Sequence, residues 1–191
     1  MWMNDANRLA RYSLFSNILY SGYHFILGIA LGSWWLFVLG VYYAILSIVR
    51  FAVLHFFVQG RTVLAFTGWM LMLLAVPLSF TVALAVLRDR GHRFHMILMI
   101  AMAACAFTKM TLAVLKWIKA RRGKTDQTVA LRNIALADAF ASIFALQRSM
   151  LVSFEGMGAV EIQMMNASLG VSVCVLVFLL GIRLVKKCRD G

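Results

Sequence analysis

Proline occurs once in the 191 residues, cysteine three times, and acidic residues seven times. One proline excludes a collagen-like chain and a proline-rich linker, which need that residue in quantity. The cysteines, at 105, 174 and 188, form no C-x-x-C pair and none is placed for an exported disulfide. A disulfide scaffold and a thiolate metal site are therefore not indicated. Charged residues make up only 14% of the chain, too little polar surface for a domain that faces water on all sides. Also missing are H-E-x-x-H, G-x-S-x-G and a Walker loop. Lipid phosphotransferases and aspartyl proteases use paired intramembrane aspartates, and Asp138 is the only acid inside an apolar run. A membrane enzyme is disfavoured on these grounds, and no cofactor or metal is expected.

What is abundant is apolar. Hydrophobic residues reach 63%, and the mean hydropathy is +0.86. The apolar runs are continuous and rich in Leu, Ala and Met, where a barrel strand would alternate. The expected fold is all-α, a polytopic transmembrane helix bundle in a single domain over residues 1–191. A crossing helix needs about 20 mostly apolar residues. No Asp, Glu, Lys or Arg occurs from Tyr12 to Val49, which is room for two spans, with Gly32-Ser33 as the break. Six spans are expected, over about 12–31, 34–57, 62–87, 94–118, 128–154 and 162–184. The loops between them are short, so a site must lie in the membrane or at its surface.

The net charge of +12 is distributed as a topology signal. Cytoplasmic loops collect Lys and Arg. Arg8 and Arg11 stand near the N-terminus, and Arg183, Lys186, Lys187 and Arg189 near the C-terminus. The fourth loop holds Lys116, Lys119, Arg121, Arg122 and Lys124 against Asp126, whereas the fifth holds Glu155 and Glu161 and no base. A multi-pass protein of the cell (inner) membrane with both termini cytoplasmic follows. Only the third loop, with Arg88, Arg90 and Arg93 against Asp89, disagrees. No cleavable signal peptide is expected, because residues 2–11 are polar and no small-residue cleavage site follows. The basic ends suit anionic lipids at the cytoplasmic face. No nucleic-acid partner is expected, since the bases sit at helix ends and form no aromatic-laced patch.

An ionisable residue inside the bilayer is a functional hypothesis by default. Counting 1.5 Å per residue, Arg50 and Lys109 each lie roughly 24 Å along their spans. With Arg132, they are expected to converge on the inner third of the membrane. Long basic side chains can also reach lipid phosphates from such depths. Asp138 cannot reach so far and needs a partner or a wet cavity, with Arg50 or Lys109 the expected partner. On a helical wheel it shares a small, polar face with Ala135, Ala141, Ala145, Ser142 and Ser149. Asn133, Gln147 and Arg148 occupy other faces, so this span is expected to be central. Arg148 is matched with Glu155 at the outer end. In the first span, His24 is flanked by Asn17, Tyr20 and Tyr23, a polar wall if the helix turns that face inward. Two readings of Asp138 stand side by side: an ion pair that holds the bundle together, or an ion-coupled site. The expected path residues are Asp138, Lys109, Arg50, Arg132, Asn133, Ser142 and His24.

Lesser motifs are Pro77 in the third span and Gly28-Ile-Ala-Leu-Gly32, a spacing that lets helices approach closely. A faint internal repeat lays Tyr43, Ser47 and Ile48 over Asp138, Ser142 and Ile143, with Lys109 as the approximate counterpart of His24. Three spans repeated in tandem are inverted in the membrane, a frequent transporter plan with the site between the halves.

The stretch Leu131-Arg-Asn-Ile-Ala-Leu-Ala-Asp-Ala-Phe-Ala-Ser-Ile-Phe-Ala-Leu-Gln-Arg-Ser-Met150 resembles segments of small uncharacterised bacterial six-span integral membrane proteins. The resemblance covers about the last half of the chain and implies no activity. The size and span count are also similar to the substrate-binding subunit of energy-coupling-factor vitamin transporters. Those subunits carry an A-x-x-x-A docking motif in the first span; the nearest match here, Ala6 to Ala10, precedes the span. The expected function is a small transporter or channel for an anionic solute or lipid headgroup. The alternatives are a substrate-binding or regulatory subunit of a larger transport complex and, last, a membrane enzyme acting on lipid. A homo-oligomer or a transport-complex partner is compatible with either membrane role.

Overall fold

The computed structural model describes residues 2–56, 60–87, 96–120, 125–153 and 158–190. Among them there is no strand. Six helices follow one another: α1 (Trp2–Ala30), α2 (Trp34–His55), α3 (Thr62–Leu87), α4 (Met96–Ala120), α5 (Asp126–Ser153) and α6 (Ala159–Asp190). The expected third-loop charges, Arg121, Arg122 and Lys124 of the fourth loop, and Glu155 lie outside the described residues.

Four helices, α2, α3, α5 and α6, are long and apolar enough to cross a membrane. The same four build the main core. Leu36, Leu39 and Leu46 of α2 meet Leu71, Leu74 and Leu78 of α3, Ile134 and Phe144 of α5, and Val173 and Val177 of α6, all buried. α5 is buried on most sides, whereas the opposite faces of α2, α3 and α6 are apolar and exposed, as at Ile48, Leu73, Phe80, Val171 and Leu179. That is the inverse of a water-facing helix and matches a lipid environment.

α1 and α4 flank this core, α1 against α2 and α4 against α5. α4 adds two small clusters, Met102 and Ala106 with Leu146, and Ala113 with Ala135 and Ala139. Elsewhere α4 and α5 leave an apolar groove of about 340 Å³, lined by Phe107, Met110, Ile143 and Met150 among others. α1 starts ten residues ahead of its apolar run, because nothing between Trp2 and Arg11 breaks a helix and Ala, Leu and Arg favour one. α6 likewise runs on through its basic end to Asp190.

Glycines set the closest approaches. α1 ends in a Schellman turn: the Ser33 amide donates to the Gly28 carbonyl at 2.9 Å, the Gly32 amide to that of Ile29 at 3.3 Å, and Gly32 has φ +59°. A methyl group on Gly28 would lie 2.8 Å from the Phe37 amide nitrogen. The G-x-x-x-G therefore closes the α1–α2 hairpin, one glycine for contact and one for the turn. α3 and α6 form the most extensive helix pair and touch through Gly68 and Gly181. α3 continues through Pro77, whose carbonyl accepts from Thr81 Oγ1 at 3.0 Å.

Candidate functional site

Asp138 stands midway along α5 and is 2% exposed. Its buried neighbours on the helix, Ala135, Ala137, Ala139 and Ala141, are small and let other helices come close. Three helices deliver partners to its carboxylate. Lys109 Nζ of α4 is 2.9 Å from Oδ1, Arg50 Nη2 of α2 is 3.2 Å from Oδ2, and Asn17 Nδ2 of α1 donates to Oδ2 at 2.8 Å. All four side chains are buried.

Each cation has a second anchor. Arg50 donates through Nη1 to Ser13 Oγ. The Lys109 ammonium lies 4.1 Å from the ring centroid of Tyr20 and 4.2 Å from that of Tyr43. Ring faces are negative, so two of them stabilise an ammonium, and more so where water is excluded.

A layer of hydroxyl groups fixes the rings. Ser142 donates to the Asp138 carbonyl at 2.8 Å. That uses its only proton, so Tyr43 is the donor across the 3.0 Å contact with Ser142 Oγ. Ser47 donates to the Tyr43 carbonyl at 2.8 Å, and Tyr42 to the Ala137 carbonyl at 3.2 Å. His24, fully buried, holds the Tyr20 carbonyl at 2.7 Å through Nδ1. Its ring packs edge-on to Tyr20, 4.3 Å between centroids.

Of the seven residues expected along a polar path, Asp138, Lys109, Arg50 and Ser142 meet directly, and His24 borders them through Tyr20. Arg132 and Asn133 stand apart. Six residues separate Arg132 from Asp138, which is about 240° around a helix after whole turns are removed. Arg132 is half-buried, and its Nε has no partner among the described residues. Asn133 donates back to the Val129 carbonyl of its own helix at 2.8 Å. The cluster falls near the middle of α4 and α5 and near the end of α2, and it meets α1 close to the start of its apolar run. Arg148 lies over Trp35, 4.9 Å from the ring centroid, and donates to the Ala85 carbonyl at 2.7 Å. Its expected partner Glu155 is outside the described residues.

Sequence reasoning missed Ser13 and the role of Tyr43. The signal for the first was present. Ser13, Asn17, Ser21 and His24 recur at spacings of three and four, one polar stripe on an otherwise apolar helix.

Chemically, the arrangement holds two cations against one carboxylate, all desolvated, with hydrogen-bond donors on both carboxylate oxygens. Comparison with protein-family models, curated proteins and solved structures finds no match to this chain.

Proposed function

We propose that this protein is a small integral membrane transporter that carries an anionic solute, or a lipid's anionic headgroup, through the Asp138 site. One observation carries the reading: Arg50 and Lys109 share the single carboxylate of Asp138. A structural pair needs one base for one acid. A second buried cation leaves one positive charge in excess, and buried positive charge attracts an anion. The aromatic faces on Lys109 lower the cost of that excess without neutralising it.

In this reading all six helices cross the cell membrane, with both termini in the cytoplasm. α1 and α4 count as spans although their inward faces are polar, since that polarity belongs to the site. The two halves of the chain are inverted repeats. The register that lays Tyr43 over Asp138 also lays Tyr42 over Ala137, and these two residues touch. A contact between a residue and its own counterpart is compatible with a two-fold axis between them. Ser47 and Ser142, another matched pair, make the same bond to the carbonyl four residues back, 2.8 Å in each. The axis then runs through the site, the place where inverted-repeat transporters bind substrate. Arg61, Arg183, Lys186 and Lys187 are exposed at one end of the bundle, where Cys188 Sγ meets the Arg61 carbonyl, and would face anionic lipids.

The test is flux. Purified protein in liposomes should move a small inorganic or organic anion down its gradient faster than empty liposomes do. Protein whose reconstitution is verified but which moves none of a panel of monovalent, divalent and phosphorylated anions would refute the reading.

A further inference from the structure

Three buried polar atoms of α1 have no partner among the described residues: Oδ1 of Asn17, Nε2 of His24 and the hydroxyl of Tyr23. Unpaired polar atoms are rare in folded interiors, and three on one helix ask for a common cause. Asn17 and His24 are seven residues apart, two turns along nearly the same face, with Tyr20 between them. From α4, Lys109 reaches this part of α1, its ammonium 4.1 Å from the ring centroid of Tyr20. α1 packs on α2 and α4 packs on α5, so side chains such as Tyr20 and Lys109 bridge the seam between α1 and α4.

The chemistry of the seam is specific. A carbonyl oxygen only accepts, so His24 carries its proton on Nδ1, toward Tyr20, and presents Nε2 as a bare acceptor. With Nδ1–H committed, the ring cannot pass a proton from one nitrogen to the other. It can hold a water. Lys109 spends one N–H on Asp138 and has others to give an oxygen. Acceptor, ammonium and acceptor thus follow one another from His24 to Asn17, and Asn17 is bonded to Asp138. Buried water is typically held by such groups.

We infer that the α1–α4 seam is a hydrated proton path that passes Tyr23 and His24 and ends on the carboxylate of Asp138. The inference rests on the transport reading for its purpose and makes the proton the coupling ion. A protonated water in the seam gives its proton to an Asp138 oxygen; the new O–H bond forms as the water's O–H bond breaks. The carboxyl becomes neutral and releases its charge pairing with both cations. Arg50 and Lys109 are then free to take the substrate's anionic group, and loss of the proton restores the resident carboxylate. The charged and titratable groups around Asp138 are Tyr20 of α1, Arg50, Tyr42 and Tyr43 of α2 and Lys109 of α4. Those around His24 are Tyr20 and Tyr23 of α1, Tyr43 of α2 and Lys109.

The test uses the full chain in vesicles, with native cysteines replaced and single cysteines placed by Y23C, H24C and, on the exposed apolar face, I26C. A charged thiosulfonate reagent reacts only with a thiolate in water, so the first two should label at least about tenfold faster than the third. In vesicles loaded with a pH-sensitive dye and held at zero potential with potassium and valinomycin, an acid step should drive proton uptake. H24F, which removes the acceptor, should slow uptake by about tenfold, and H24Q, which keeps one, should retain it. Equal labelling at all three positions, or H24F uptake equal to that of the unaltered protein, overturns the path. Labelling and proton uptake that persist without any anion flux would instead remove the transport reading and leave the path standing.

Discussion

Gly68 and Gly181 meet backbone to backbone: a methyl group on either would fall 2.8 Å from the carbonyl oxygen of the other. Val185 and Met72 side chains stand as close, but moving them leaves the carbonyl clash, so α3 and α6 would have to move apart. Gly68→Ala and Gly181→Ala should each destabilise the protein by about 1–3 kcal/mol through overpacking. Gly22 is the internal control. A methyl there meets nothing within 4 Å, and Gly22→Ala should be neutral or stabilising by up to about 1 kcal/mol, by helix propensity. Thermal melting in detergent measures all three.

Asp138→Asn keeps the shape of the side chain and removes its charge. Two buried cations then lack a counter-charge, and the loss of stability should be roughly 3–5 kcal/mol. Adding Lys109→Met, or Arg50→Met, should restore part of it, since one uncompensated charge leaves with the lysine or arginine. If stability returns and anion flux does not, the carboxylate serves transport as well as assembly. Return of both would mean that the charges serve assembly alone.

Tyr43 combines a ring and a hydroxyl with separate duties. Tyr43→Phe removes the donor to Ser142 and keeps a face toward Lys109, so its cost should stay near 1 kcal/mol. Tyr43→Leu also removes the cation's aromatic neighbour and should cost about 1–2 kcal/mol more, as a desolvated cation–π contact is worth. The difference between the two melting temperatures isolates the ring. Equal losses would assign the stabilisation to the hydroxyl.

Orientation can be read at the two ends of α5. Single cysteines at Thr125 and Gly158, in a background without native cysteines, should react with an impermeant thiol reagent from opposite sides of the membrane. Thr125 is expected on the cytoplasmic side. Reaction of both from the same side would end the model in which α5 spans.

Helices were legible wherever an apolar run was bounded by a clear break. Thr62–Leu87 coincides with its run, and Gly32 marks the α1–α2 turn because φ +59° suits glycine. The ends of α1 and α6 were not legible from hydropathy, which reports the solvent of a segment and is silent about its backbone. Charge count was enough to single out Asp138, Lys109 and Arg50, because an isolated acid in hydrocarbon must find a base. The misplacement of Arg132 came from weighing depth without azimuth; the wheel already set it far from Asp138. Ser13 was legible as the first member of the stripe it forms with Asn17, Ser21 and His24, but its partner Arg50 was not, because a stripe marks a face and not what that face meets across the bundle.

Arg50 precedes Asp138 by 88 positions and Lys109 precedes it by 29. A ribosome adds roughly 5–20 residues per second, so Arg50 waits about 4–18 seconds in the nascent chain before its counter-charge exists. During that time α2 can hold its guanidinium near the bilayer surface, which its place close to the helix end allows. Arrival of α5 draws the side chain inward and joins it to α1 through Ser13 and to α4 through the shared carboxylate. Synthesis order thus makes Asp138 the closing element of the bundle. A chain that stops short of it has two in-span cations and no in-span acid, and such a fragment should be cleared from the membrane, which a pulse-chase of chains truncated before and after α5 can follow.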